Sequence, residues 1–195
     1  YELFAREAKK VVIDIDPGEH KKKTIKIDLF IEADAKEFLK RFKPKRLGMI
    51  SKWNKACSDW KKKYPVCLPE YRKYKGHISM YHLVDTLSRL MKPDAVVVSD
   101  AGSAFYVTTQ AINLRANQRY LTSGGQADMG FTVPAAIGAA VAKRGEVFGI
   151  TGDGSFQLNI QELQTIVHNR LPVKIVVLNN NGYLSIRATQ NKFFE

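Results

Sequence analysis

Apolar and polar positions divide this chain into two regimes, changing near residue 77. Before that point the apolar stretches are short and set among charges. "AKKVVIDIDPGE" reads as a short buried strand, Val11 to Ile15, stopped by the Pro17-Gly18 turn. "TIKIDLFIEADAKEFLKRF" alternates as a strand does and then shifts to helical spacing, with Asp34 placed to cap the helix. A second helix is expected over roughly 48–63, where Trp53 and Trp60 share a face suited to packing. Prolines then punctuate a linker from Pro65 to Gly76.

From residue 78 the apolar runs are longer and regular. "SMYHLVDTLSRLM" predicts a helix with Leu83, Leu87 and Leu90 on its apolar side. "AVVVSDAGSAFYVTTQAI" is a β-branched strand, a Gly/Ser turn and a helix. "RYLTSGG" is a short strand and turn. "MGFTVPAAIGAAVAK" is a helix dense in Ala and Gly, "EVFGITGDGSF" a buried strand ending in a glycine turn, and "NIQELQTIVHNR" a helix. "VKIVVLNNNGY" is a strand, and "SIRATQNKFF" begins another helix. Continuous apolar strands alternating with helices predict an α/β fold: a parallel sheet with helices on both faces, in three layers. The expected division is 1–43, a basic helix and linker over 44–76, and 77–195.

Composition adds limits. The chain has 195 residues, 45% of them hydrophobic, enough for a real core. No apolar run reaches membrane-spanning length and no signal peptide opens the sequence, so no membrane partner and a cytoplasmic setting are expected. Cys57 and Cys67 form no metal-binding spacing. The chain opens without methionine and stops just after a helix begins, which reads as a fragment of a longer protein cut at both ends. The net charge of +12 points at first to nucleic acid. Residues 36–75, however, hold 14 basic and 3 acidic side chains, and so carry nearly all of the excess. A solvated linker and helix face explains that better than a nucleic-acid-binding module, the non-enzyme alternative.

Candidate chemistry collects at strand ends. In open α/β sheets ligands bind beyond the carboxyl ends of the strands. Ser99–Ser103, Ser123–Met129, Gly152–Ser155 and Asn179–Gly182 all fall there. Gly152 and Gly154 allow the backbone to approach a ligand closely, and N–H groups at the next helix start favour an anion such as phosphate. Asp153 would repel that phosphate unless a cation lay between them. A carboxylate, a carboxamide oxygen from Asn179–Asn181, a carbonyl at the Gly182 turn and diphosphate oxygens make a hard, all-oxygen shell suited to Mg²⁺.

Asp153 and Asn180 are 27 residues apart, and Gly182 follows two residues on. This arrangement resembles the thiamine-diphosphate motif. The resemblance implies Mg²⁺ held by the side chains of Asp153 and Asn180 and by the Gly182 carbonyl. "SGGQADMGFTVPAAIGAA" is similar to a stretch of the acetohydroxyacid (acetolactate) synthase group. That likeness implies Met129 as the wedge under a bent cofactor and Ala127 as a carbonyl donor to its aminopyrimidine. "IDIDPGE" and "EADAKEFL" resemble the end of the same group's Rossmann-like middle domain.

By this resemblance the chain belongs to a thiamine-diphosphate- and Mg²⁺-dependent 2-oxo acid decarboxylase and carboligase. Pyruvate is the expected donor, and the assembly a homodimer or tetramer. FAD is compatible with the likeness, with no residue of this chain assigned to it. The implied cofactor contacts are Gly102, Ser103, Ala127, Met129, Gly152, Gly154, Ser155, Asn180 and Tyr183. The group's proton-relay glutamate comes from a pyrimidine-binding domain of a partner subunit. No catalytic residue is therefore expected here, Glu162 is no substitute, and these residues alone should be inactive. There are departures. Ser103-Ala104 follows Gly102 where the synthases carry Gln-His, and Thr189 stands where they carry a tryptophan. Ser185 and Arg187 are more polar than expected, which raises a sugar or sulfonate acceptor as an alternative. Pyruvate-decarboxylase-like members carry a glutamate at the place of Ile186, so simple decarboxylation is disfavoured against carbon–carbon ligation.

Overall fold

The computed structural model describes residues 2–43, 50–143 and 145–194. The chain forms two compact units, residues 1–59 and 60–195.

In the first unit, β1 (Val11–Asp14) and β2 (Leu29–Glu32) pair in parallel, from Val11 opposite Leu29 to Asp14 opposite Glu32. The Asp34 carboxylate accepts the N–H groups of Lys36 and Glu37 at 2.9 and 3.1 Å and so starts α1 (Ala35–Arg41), the cap expected from sequence. Helix α2 is Ser51–Lys63; residues 48 and 49 of the expected helix lie outside the described residues. Trp53 and Trp60 are 58% and 52% exposed, so the packing stripe expected there is not a buried one.

The second unit opens with a 3-10 turn (Pro69–Lys73) inside the expected linker, then α3 (Met80–Leu90). Strand β3 (Val96–Ser99) leads to α4 (Gly102–Ala111), and β4 (Arg119–Thr122) to α5 (Thr132–Lys143). Strand β5 (Val147–Gly152) runs directly into α6 (Asp153–Gln157). A 3-10 turn (Ile160–Glu162) and α7 (Leu163–His168) precede β6 (Val173–Leu178) and α8 (Leu184–Phe193).

The four strands form one parallel sheet in the order β4-β3-β5-β6. Side chains alternate across it. Val97 packs with Val84, Met91 and Ala104 on the face of α3 and α4. Val96 and Val98 pack with Ala136, Ala139 and Ala140 of α5 on the other. The three layers expected from the apolar runs are therefore present. Burial of each of these valines stabilises the unit by about 1.5–3 kcal/mol.

Two expectations are corrected. On α3 the buried positions are Val84 and Ser88, followed by Met91, while Leu90 is 78% exposed. The Ser88 hydroxyl donates to the Val84 carbonyl at 2.8 Å and accepts the Asn113 N–H at 3.0 Å, which turns this face of α3 inward. The single helix expected over 159–170 is a 3-10 turn followed by a short α-helix. Asn159 sits outside helical geometry, at φ −136° and ψ 32°, and donates its side-chain amide to the Gly130 carbonyl.

The chain passes from β3 outward to β4, then returns across β3 to β5. The loops leaving β3 and β5 therefore diverge from adjacent strands and open a crevice at their carboxyl ends, the switch point of such sheets.

Candidate functional site

A cavity of about 280 Å³ lies at this crevice. Gly102 and Ser103 line it from the start of α4, Ala127 and Met129 from the loop before α5, and Gly152–Ser155 from the turn after β5. Asn180 and Tyr183 line it from the turn after β6, with Leu184, Ser185 and Ile186 from the first turn of α8. The four strand-end clusters found in the sequence thus converge on one space.

Asp153 is the centre of the turn chemistry. Its Oδ2 accepts the N–H groups of Asn180 at 2.9 Å and Gly182 at 2.8 Å, and its Oδ1 accepts the Gly154 N–H at 2.8 Å. Burial pushes the carboxyl up. The N–H groups of Gly182, Asn180, Gly154 and Tyr183 outweigh that and hold it below its ordinary value. Asp153 therefore stands ionised at the mouth of β5.

The partner turn is built from three successive left-handed residues: Asn181 (φ 64°), Gly182 (φ 85°) and Tyr183 (φ 52°). Asn and Gly take this conformation readily, whereas a bulky aromatic does so at a cost. The result points N–H groups at Asp153 and lays the Tyr183 ring over Gly154. A Cβ at Gly154 would stand 2.6 Å from that ring, so only glycine fits there.

Asn180 supplies the test of fit for a cation. Its N–H goes to Asp153 and its carbonyl accepts from Arg187 at 3.3 Å. Its side-chain Oδ1 is buried without a hydrogen-bond partner. Four buried side-chain atoms among the described residues lack partners, and Asn180 Oδ1 is the one whose residue lines the cavity. A buried carboxamide oxygen with no donor is costly, by about 1–3 kcal/mol, unless a ligand completes it. Beside an ionised carboxylate, that unmet acceptor fits a hard cation. Asn179 instead accepts the Asn181 N–H at 3.0 Å, a local turn contact.

Sequence reasoning missed the support beneath this turn. Asp100, fully buried, accepts the Ser155 hydroxyl at 2.5 Å, the Thr151 hydroxyl at 2.8 Å and the Ala101 N–H at 2.7 Å. The Ser155 hydroxyl in turn accepts the Gly130 N–H at 2.7 Å. Ser155 lines the cavity, and its side chain is committed to this network. Gly130 has φ 83°, and a Cβ there would meet Asn159 and Leu158 at 2.9 Å, so the residue after Met129 is fixed on both sides. Ala127 is also left-handed (φ 58°), in a turn whose N–H groups from Gln126, Ala127 and Asp128 all return to Ser123. The clue in the sequence was an aspartate directly after the apolar run of β3, in the position that Asp153 takes after β5.

Arg187 and Thr189 are not among the cavity-lining residues. The Thr189 hydroxyl donates to the Ser185 carbonyl within α8 at 3.0 Å. Glu162 accepts the Thr165 hydroxyl at 3.0 Å and is not among the cavity-lining residues. Among the described residues no helix is long and apolar enough to cross a membrane.

Comparison with known proteins agrees with the geometry. Residues 100–195 match the C-terminal TPP binding domain of thiamine pyrophosphate enzymes. The acetolactate synthase isozyme 1 large subunit of Escherichia coli (strain K12) is 33% identical over 196 residues, covering 100% of this chain and 34% of that protein. The Porphyra purpurea acetolactate synthase large subunit is 34% identical over 200 residues, 98% of this chain and 33% of its own length. The chloroplastic acetolactate synthase 1 of Nicotiana tabacum is 33% identical over 201 residues, 100% of this chain and 30% of its own length. The chain thus spans about a third of the length of these relatives. Bacterial and chloroplastic proteins both occur among them, so the likeness selects no compartment. With the domain match over 100–195 and the likeness running through the whole chain, the chain belongs to the thiamine pyrophosphate enzyme family, in its acetolactate synthase-like group.

Proposed function

We propose that this chain provides the diphosphate- and Mg²⁺-holding part of a thiamine-diphosphate-dependent 2-oxo acid decarboxylase and carboligase. The observation that carries the proposal is the buried, partnerless Oδ1 of Asn180 beside the ionised Asp153. Asp153, Asn180 and the Gly182 carbonyl would hold the cation, and the cation the diphosphate. When bound, thiamine diphosphate supplies the nucleophilic carbon and electron sink that 2-oxo acid decarboxylation needs.

The chain's own residues bind and orient. Gly152 and Gly154 keep the backbone open to the diphosphate. Ala127 and Met129, carried on a loop anchored through Gly130 and Ser155, set the shape of the cavity on the opposite side. Among the described residues Asp153 is the only carboxylate lining the cavity, and its N–H contacts hold its carboxyl below the ordinary value. A proton-relay acid must then come from elsewhere, which accords with a homodimer or tetramer whose partner subunit supplies it. Leu184 and Ile186 present apolar surface to the cavity and Ser185 lines it between them, whereas Arg187 and Thr189, the other two residues behind the polar-acceptor alternative, do not line it. Pyruvate as donor and a second small aliphatic 2-oxo acid as acceptor are the reading this lining favours.

The test is product analysis with the intact protein, supplied with pyruvate, thiamine diphosphate and Mg²⁺. Acetolactate formation that requires both additions supports the proposal. Absence of carbon dioxide release from pyruvate and from other small 2-oxo acids, in protein that is folded and saturated with cofactor, overturns it.

A further inference from the structure

Helix α3 turns Val84 and Ser88 into the core and leaves His82 and Asp85 on another side. Their three-residue spacing puts them on one helical face. The segment before α3 crosses that face: Tyr71 stacks on Tyr81 at 5.5 Å between ring centroids, and Arg72 reaches Asp85 at 3.2 Å. The same segment delivers Cys67, a free thiol. Cys67 Sγ, a ring nitrogen of His82 and a carboxylate oxygen of Asp85 lie within 4.8 Å of one another, and all three residues are partly buried.

We propose that Cys67, His82 and Asp85 form a second metal site, for a zinc-class divalent ion, with water as the fourth ligand. The donor set decides the class of ion. One thiolate, one imidazole and one carboxylate suit borderline-soft Zn²⁺ and not Mg²⁺, which takes oxygen donors at the diphosphate turn. Donors bound tetrahedrally at 2.0–2.3 Å stand roughly 3.3–3.7 Å apart, so the triangle contracts by about 1 Å on binding. Rotation of the Cys67 and His82 side chains, neither of them fully buried, supplies that movement.

Outer contacts are already in place. Arg72 and Arg89 both reach Asp85 Oδ2, each at 3.2 Å, and the Thr86 hydroxyl stands 3.4 Å from His82 Nδ1. Ligating carboxylates and imidazoles are oriented by such partners. Two guanidiniums also draw charge from Asp85, which makes it the weakest of the three donors and leaves the affinity mainly to Cys67 and His82. The bound ion pins the segment around Cys67 to α3, a structural role independent of the cofactor.

The experiment is cobalt titration of the intact protein with Mg²⁺ and thiamine diphosphate at saturation, so that the oxygen site is filled. One equivalent of Co²⁺ should give a thiolate-to-metal absorption band that Zn²⁺ displaces. Cys67→Ser should abolish the band and Cys57→Ser should keep it. His82→Gln should weaken Co²⁺ binding at least tenfold and Asp85→Asn less. A wild-type protein without the band, or a band that survives Cys67→Ser, overturns the proposal. Because the readout does not depend on turnover, its failure is distinct from failure of the function proposed above.

Discussion

The carboxylate of Asp100 and the hydroxyl of Ser155, 55 residues apart in sequence, meet at 2.5 Å beneath the cavity. Through Ser155 the contact reaches the Gly130 N–H, and through Thr151 it reaches β5. Three loops that line the cavity are therefore tied to one buried side chain. A buried carboxylate is tolerated only when hydrogen bonds replace its water, and Asp100 accepts three.

Truncation of that carboxylate leaves two hydroxyls and one N–H without acceptors. Asp100→Ala should cost about 2–4 kcal/mol in urea unfolding, and Ser155→Ala about half as much. A cost under about 1 kcal/mol for Asp100→Ala would mean that the network does not hold the loops.

Gly154 and Tyr183 make a steric pair. A methyl at position 154 would stand 2.6 Å from the Tyr183 ring. Gly154→Ala should therefore cost about 1–3 kcal/mol and lower thiamine-diphosphate affinity, because the turn that contacts Asp153 must shift. Tyr183→Ala in the same protein should recover most of the stability. A double-mutant cycle with no coupling between the two positions would show that the ring is not the obstacle.

Glu146 predicts an acid dependence. Burial pushes its carboxyl up, but the Lys174 ammonium at 2.5 Å and the Lys92 N–H at 3.2 Å prevail and hold it below its ordinary 4.5. A group with a depressed folded value contributes fully above its unfolded value and loses that contribution as pH falls through the folded one. Stability should thus fall as the pH drops below about 5, with this group contributing part of the loss. Glu146→Gln should remove that part of the slope. Urea midpoints across this range decide it: equal slopes in both proteins would count against the pairing.

The sequence made the sheet legible because strands such as Val96-Val97-Val98 are buried on both faces and must be apolar throughout. The Asp34 cap was legible because capping is local. That Asp153 and the Asn179–Gly182 cluster meet was legible because both stand at the carboxyl ends of buried strands, while the choice of Asn180 and Gly182 within that cluster rested on a motif resemblance. The inward face of α3 was not, since a serine hydroxyl bonded to Asn113 decided it over Leu90. The role of Asp100 was hidden as well, because its partners lie 51 and 55 residues away and nothing local announces them. Tyr183 in a left-handed conformation runs against its own preference, and only the packing on Gly154 explains why the ring lies where it does.

The most direct test of the central claim is calorimetric titration of thiamine diphosphate into the intact protein, at fixed Mg²⁺, comparing wild type with Asn180→Ala. The unmet Oδ1 of Asn180 is assigned to the cation that holds the diphosphate. Its loss should weaken cofactor binding by about 10- to 100-fold while leaving the urea midpoint unchanged or higher, because a buried orphan acceptor is removed. Wild-type affinity in Asn180→Ala, over the same Mg²⁺ range, would contradict the account.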